Sequence, residues 1–292
     1  MPISHCLLIL AVVFVWGTNF VVIKLGLAEL PPFLFATLRF ALSALPWLLW
    51  IKRPAVPWRS LAAFGVLLGA GQFGLLFLAM RSDISPGLAS LVVQMQVFFT
   101  IGLSMLMLGE RVRAFQLAGL ALCIAGLSLI LLHLDTSVTI KGVLLVLSAS
   151  LCWSGANLVA KSAGKVDMLG FMVWSSVFAV PPLLLLSCLF DGAQLDLAAL
   201  THASWQAWAA VLWQAVGNTL FAYGAWNWLL ARHPAATVTP AALLVPVFGM
   251  SASALAFGEP LQAWKLTAAG LVMAGLAVNL LWPRLTARWW PA

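Results

Sequence analysis

The stretches WGTNFVVIK (Trp16–Lys24) and WSGANLVAK (Trp153–Lys161) decide how the chain is read. Each runs eight residues from tryptophan to lysine, and the two lie 137 positions apart. Working outward, Pro86 and Pro234 each open an apolar run that closes on Gly-Glu, at Glu110 and Glu259, after 24 and 25 residues. A basic residue and then AGL follow both, at Ala118 and Ala269. Three marks in the same order and at matching spacings describe one segment written twice. The division falls near residue 135, giving a first repeat over 1–135 and a second over 136–292.

The composition says where such a segment lives. Of 292 residues, 63% are hydrophobic and 8% charged, with a mean hydropathy of +1.06; soluble domains hold roughly 45–50% and about 25%. A cytosolic enzyme, a secreted scaffold, a nucleic-acid reader and a single-span receptor are all excluded. A spanning helix takes about 20 apolar residues. The breaks at charges and prolines place ten, over 5–25, 33–51, 59–80, 86–108, 114–133, 141–161, 168–189, 206–231, 235–257 and 264–282. Runs such as Leu7–Val15 and Gly142–Leu151 lack the alternation of barrel strands, so the expected fold is an all-α polytopic membrane protein. Five spans per repeat is an odd number, which turns the second five-helix copy upside down relative to the first. Inverted repeats of this kind build secondary transporters with a site near the midplane.

The charge distribution orients the spans. Of the net charge of +7, ten basic residues fall on the side of the N-terminus: Lys52, Arg53, Arg59, Arg111, Arg113, Lys161, Lys165, Arg232, Arg284 and Arg288. Lys24, Arg81, Lys141 and Lys265 fall on the other side, so both termini are expected in the cytoplasm. Only Ser4 and His5 precede the first apolar run, and no small-residue cleavage site follows it, so that run reads as a retained span. Cys6, Cys123, Cys152 and Cys188 lie in apolar stretches without paired spacing and read as small hydrophobes. No disulfide, metal, cofactor or nucleic-acid partner is expected, and no obligatory protein partner. The implied partners are membrane lipid and a small-molecule substrate.

WGTNFVVIKLGLAELPPFLFATLRF, from Trp16, resembles the opening of EamA-type transporters of the drug/metabolite transporter superfamily. GERVRAFQLAGLALCIAGLSL and GEPLQAWKLTAAGLVMAGLAV resemble the ends of their two repeats. The likeness spans nearly the whole chain. It implies a ten-helix carrier in a bacterial inner membrane that moves small metabolites, often outward, and within the family it is most similar to the amino-acid exporters of the YddG type. The chain departs from the pattern at Arg39-Phe40, whose second-repeat counterpart holds Ser175 and Ser176 instead of a basic residue.

Ionisable groups at bilayer depth are costly, so they mark pathways or partners. Every acid (Glu29, Asp83, Glu110, Asp135, Asp167, Asp191, Asp196, Glu259) falls at an expected span end, with Asp191 and Asp196 in an outer loop. The first helix holds no acid, which disfavours a cationic-drug antiporter, and the absence of any acid or histidine from a span interior argues against proton coupling. His5, His133, His202 and His233 all lie at ends or loops, so an intramembrane enzyme lacks its base. The interior polar groups are neutral or basic: Arg39, Lys24, Lys161, Asn19, Gln72, Gln94, Gln96, Asn157, Gln214, Asn218, Tyr223 and Asn227. They suit a carboxylate or a zwitterion. Of the deeper tryptophans Trp16, Trp153, Trp174, Trp226 and Trp228, two or three are expected to face a cavity. From these groups the expected substrate site is Trp16, Asn19, Gln72, Trp153, Asn157, Lys161, Gln214 and Tyr223, with Lys161 as its charge because Trp153 and Asn157 share its helical face. Together with the resemblance, which implies export, the expected function is export of amino acids, aromatic or otherwise apolar, and similar small metabolites by alternating access. Carriage of phosphorylated or nucleotide-linked metabolites is the alternative. Gly65-x-x-x-Gly69 and the AGL repeats are expected to pack closely. Pro240 and Pro246, which lack partners in the fourth helix, are expected to make the halves differ.

Overall fold

The computed structural model describes residues 1–108, 113–135, 137–164, 166–233 and 235–289. Glu110, Arg111, Lys165, Pro234 and Trp290 lie outside the described residues, as do the side chains of Asn227, Arg284, Arg288 and Trp289. What is described is helical, without a strand. The helices are α1 (Ile3–Gly26), α2 (Pro32–Leu49), α3 (Trp58–Ser82), α4 (Pro86–Met107), α5 (Ala114–Leu131), α6 (Ile140–Ser162), α7 (Met168–His202), α8 (205–232), α9 (235–257) and α10 (Ala263–Trp289). Among the described residues, nine are long and apolar enough to cross a membrane. The other is α8, whose Gln206, Gln214, Asn218 and five tryptophans lower its hydropathy.

Local chemistry sets the helix ends. Asp167 accepts from the Leu169 and Gly170 amides at the start of α7, both at 3.1 Å. Thr139 caps α6 through Gly142 N at 3.0 Å and Ser204 caps α8 through Ala207 N at 3.3 Å. Side-chain oxygens of this kind satisfy amides that have no partner in the first turn. Two boundaries differ from expectation. In α2 the α-helix stops at Ala44, ahead of Pro46, and one 3-10 turn (Trp47–Leu49) follows. More consequentially, the outer loop expected late in α7 is itself helical: a π-helical segment (Ser187–Gly192) ends at Gly192, whose φ of +93° breaks the helix, and a short helix (Ala193–His202) follows, with Asp191 and Asp196 buried on either side of the break. The cause is long-range: Asp191 Oδ2 accepts from Phe33 N at 2.9 Å and Leu34 N at 3.0 Å, the free amides that open α2. Ser187 Oγ joins the two acids, at 3.3 Å from Asp191 and 2.7 Å from Asp196.

The bundle has two distinct ends. Glu29, Ser82–Pro86, Asp135, residues 137–140, Ser204 and Glu259 gather at one, the far end, where Glu29 accepts from Ser204 and Lys141 pairs with Asp83 at 2.8 Å. His5 meets His233 at 2.6 Å at the other, the terminal end, where Trp174 Nε1 donates to Ile51 O at 3.0 Å. The main helix pairs are α5 with α10, α2 with α7, α4 with α9, α1 with α9, α6 with α4, α3 with α6, α8 with α1, α3 with α7 and, less extensively, α8 with α2. Exchanging the first five helices for the second five maps this set onto itself. Backbone irregularities follow the same exchange: α3 and α8 hold π-helical segments (Leu67–Gly74 and Trp213–Ala222), and α4 and α9 hold 3-10 segments (Val93–Met95 and Thr239–Leu243). Because α4 breaks its ladder without a proline, Pro240 is not required for that irregularity.

Glycines bring these pairs together. A Cβ on Gly65 would strike the Ser175 carbonyl, and one on Gly69 the Ala179 side chain, so α3 lies directly on α7. Gly119 and Gly275 face each other's carbonyls between α5 and α10, while Gly270, in the first AGL of α10, meets nothing within 4 Å and is not a packing position. Gly65→Ala is therefore expected to lower stability by about 1–3 kcal/mol through overpacking. Gly102→Ala, with open space around it, is expected to be neutral or slightly stabilising. Thermal unfolding of both variants in one detergent checks this, and equal losses would contradict it.

Candidate transport site

A cavity of about 430 Å³ lies at the centre of the bundle. α1 supplies Trp16, Asn19, Phe20 and Ile23; α3 supplies Phe64, Leu68, Gln72, Phe73 and Leu76; α4 supplies Gln94 and Gln96. From the second half come Trp153, Asn157 and Ala160 of α6, Met168 and Met172 of α7, Asn218, Tyr223 and Trp226 of α8, and Thr239, Ala242 and Val245 of α9. Among the described lining residues there is no Lys, Arg, Asp, Glu or His. The wall is aromatic and amide.

Of the eight residues expected from the sequence, Trp16, Asn19, Gln72, Trp153, Asn157 and Tyr223 line this cavity. Gln214 is buried behind it, where its Nε2 donates to Asn19 Oδ1 at 2.8 Å and its Oε1 accepts from Asn218 Nδ2 at 3.3 Å. It orients two lining amides from one turn back. Lys161 does not line the cavity; it is exposed near the terminal end of α6. Lys24 is not in the lining either. Its Nζ donates to the Met80 and Arg81 carbonyls, both at 2.9 Å, at the C-terminus of α3, where the helix dipole favours a cation. Three deep tryptophans, Trp16, Trp153 and Trp226, face the cavity. Trp174 is tied to Ile51, and Trp228 stacks with Arg232 and His5 instead.

The lining amides missed as site residues, Gln94, Gln96 and Asn218, sit on the irregular segments or beside them. In a 3-10 turn, residues two apart lie closer to one face than in an α-helix, and the turn at 93–95 lets Gln94 and Gln96 both reach the cavity. Two serines of α6 sit against that turn: Ser150 Oγ, which donates to Val146 O at 2.7 Å, lies 3.2 Å from Val93 O, and Ser154 Oγ lies 2.8 Å from both Gln96 O and Ser150 O. Asn157 Nδ2 then reaches Gln96 Oε1 at 3.1 Å. Two further atoms have no partner at all: the Trp16 indole Nε1, a donor, and the Gln72 Oε1, an acceptor, are both buried.

The cavity extends to Ala160, Met168 and Thr239 near the terminal end, and at the far end a separate cleft of about 220 Å³ is lined by Lys24, Ser85, Ser253 and Glu259. There Glu259 Oε1 accepts from Ser85 Oγ at 2.5 Å and Lys265 Nζ at 3.0 Å, and Oε2 from Ser253 Oγ at 2.5 Å and Gly87 N at 3.4 Å. Across this seal α1 packs on α4. Their counterparts α6 and α9 make no comparable contact among the described residues. Burial alone would raise the Glu259 carboxyl, but the hydrogen bonds from Ser253 and Ser85 and the Lys265 ammonium outweigh it and hold it below the usual carboxylate range.

A model of the EamA-like transporter family matches residues 3–132 and again 140–281. The chain belongs to the EamA-like transporter family. As a member, it is a multi-pass membrane transporter and not an enzyme. It is 39% identical over 280 residues to the "Probable amino-acid metabolite efflux pump" of Salmonella typhimurium, covering 94% of this chain and 93% of that one. The Escherichia coli protein of the same description is 36% identical with the same coverage. A Bacillus subtilis protein described as "Uncharacterized transporter YoaV" is 28% identical, over 93% of this chain and 94% of its own. A solved crystal structure at 18% identity superposes with a TM-score of 0.61 over 98% of this chain and 99% of the other, which shows a shared fold.

A group whose folded pKa is depressed contributes stability above its unfolded pKa and loses it as pH falls through the folded value. The Glu259 seal should therefore hold through neutral and mildly acidic pH and fail only below the ordinary carboxylate range of about 4.3. Thermal unfolding of wild type and Glu259→Gln across pH should show a constant gap that closes only in that acidic region. A gap already closed near about pH 6, well above that range, would contradict it.

Proposed function

We propose that this chain is a carrier in a bacterial inner membrane that exports amino acids, chiefly aromatic or other apolar ones, by alternating access. Its ten spans form two inverted five-helix repeats, 1–135 and 136–292, with both termini in the cytoplasm. The exchange-invariant helix pairing and the recurrence of π and 3-10 segments at matching places support the inversion. The excess of basic residues on the terminal side supports the orientation, and the relatives described as efflux pumps support export.

One observation carries the substrate reading: the described cavity wall is aromatic, aliphatic and amide, without charge, and two of its residues, Trp16 and Gln72, each keep an unpaired polar atom buried just beneath it. Buried polar groups left unpaired are costly. The pair Trp16 Nε1 and Gln72 Oε1 fits a ligand that brings its own acceptor and donor, the carboxylate and ammonium of an amino acid. Trp153, Trp226 and Phe20 then surround its apolar side chain. Phosphorylated or nucleotide-linked metabolites fit less well, because the described lining holds no Lys or Arg to meet a phosphate.

The hydrogen-bonded far end and the cavity's reach toward the terminal end correspond to a cytoplasm-facing state. With no acid or histidine in the lining, net movement follows the substrate gradient and is little changed by an imposed pH gradient. Counterflow of labelled L-phenylalanine in proteoliposomes tests the whole reading. Apolar amino acids should exchange, and nucleotide sugars and cationic dyes should not. Gln72→Leu should weaken exchange roughly 10–100-fold, the effect of one hydrogen bond to a charged group, at equal protein level. Exchange of nucleotide sugars without amino acids would overturn it.

A further inference from the structure

We propose that Arg39, sealed behind Phe73, sets the net charge the cavity accepts: it admits substrates whose carboxylate is not outweighed by cationic groups and turns net cations away. The inference rests on the amino-acid reading above and adds to it the residue that decides between charge classes.

Arg39 is 0% exposed in the middle of α2, at a depth where an uncompensated guanidinium is expensive. Among the described residues it forms no ion pair. Its Nε and Nη2 both go to the single hydroxyl of Thr219, at 3.3 and 3.1 Å, and its Nη1 has no partner. The rest of its surroundings are rings: the guanidinium carbon lies 3.5 Å from the centroid of Phe73 and 5.1 Å from that of Phe40. A structural arginine at this depth would be expected to find an acid or several carbonyls. This one has neither, so its charge remains unneutralised by the protein.

Phe73 is at once the ring that Arg39 stacks on and part of the cavity wall. A ring holding a cation on one face cannot also favour a cation on the other, since the two charges repel across a low-dielectric layer one ring thick. The same field attracts a carboxylate. It also acts from one side only: the matching place in the second repeat holds Ser175 and Ser176, both buried and uncharged. The cavity therefore has one positive flank and one neutral flank, which suits a substrate that carries a carboxylate.

The test uses the full chain in proteoliposomes, with labelled L-phenylalanine counterflow competed by L-phenylalanine and by L-phenylalaninamide, which has the same ring and a net positive charge. The wild type should prefer the acid over the amide by more than tenfold. Arg39→Gln should shrink that preference at least tenfold, about 1.4 kcal/mol, and Arg39→Lys, which keeps the charge, should retain it. A merely structural arginine would weaken both competitors alike and leave their ratio in place, and that result overturns the proposal. If Arg39→Gln fails to insert, Phe73→Leu reads the same charge by unscreening it. Competition by N-acetyl-L-phenylalanine, a net anion, should strengthen relative to phenylalanine, and an unchanged ratio overturns the proposal. Absence of any amino-acid counterflow in the wild type would instead overturn the reading on which it rests.

Discussion

Inside a bilayer a polar group released from its helix has no water to turn to and must be satisfied by the protein. The centre of this molecule is arranged around that constraint. Where α8 widens into a π-helical segment, the Gln214 carbonyl is met by Thr219 Oγ1 at 2.9 Å and the Ala215 carbonyl by Ser43 Oγ of α2 at 3.4 Å. Thr219 is in turn the residue that receives Arg39. Where α4 tightens at Val93–Met95, a backbone amide meets the Val93 carbonyl and two serines of α6 lie against the turn. Irregular backbone is tolerated at this depth only where neighbouring helices answer it, and here those places border the cavity.

The same constraint explains where the charges stand. Lys24 lies on the C-terminus of α3, Glu259 at the N-terminus of α4, and Asp191 on the opening amides of α2. Each is tied to a helix end whose dipole has the opposite sign. These groups hold the far end together and leave the cavity neutral, with one positive charge retained behind a ring. A seal made of hydrogen bonds at one end is what a carrier needs if its two halves are to exchange roles.

Much of this was legible in the sequence because the repeat is written in residues with distinct duties. Trp16 and Trp153 reach the cavity from equivalent turns of α1 and α6, Gln72 from the irregular segment of α3, and Tyr223 from the turn that follows the irregular segment of α8. Lys161 misled because helical phase gives the face and not the depth: it shares a face with Trp153 and Asn157 but lies one turn further out, where Ala160 already borders the mouth. Asp-Gly at 191–192 does turn the chain, at a Gly192 φ of +93°, but the burial of Asp191 was not legible, because its partners, the amides of Phe33 and Leu34, are more than 150 residues away. Gln94 and Gln96 could not be placed on one side, because an α-helical reading sets residues two apart on nearly opposite faces. Only the backbone, tightened at 93–95, turns them inward together.

The central claim is that the cavity between the halves is where an amino acid binds. A variant with Cys6, Cys123, Cys152 and Cys188 replaced by serine and Ala242, a small lining residue, replaced by cysteine tests it most directly. A membrane-permeant thiol reagent should label that cysteine, and L-phenylalanine or L-tryptophan should slow the labelling in proportion to its occupancy of the site, while a sugar should not. Labelling unaffected by any apolar amino acid, at concentrations that support counterflow, would place the binding site elsewhere and contradict the account.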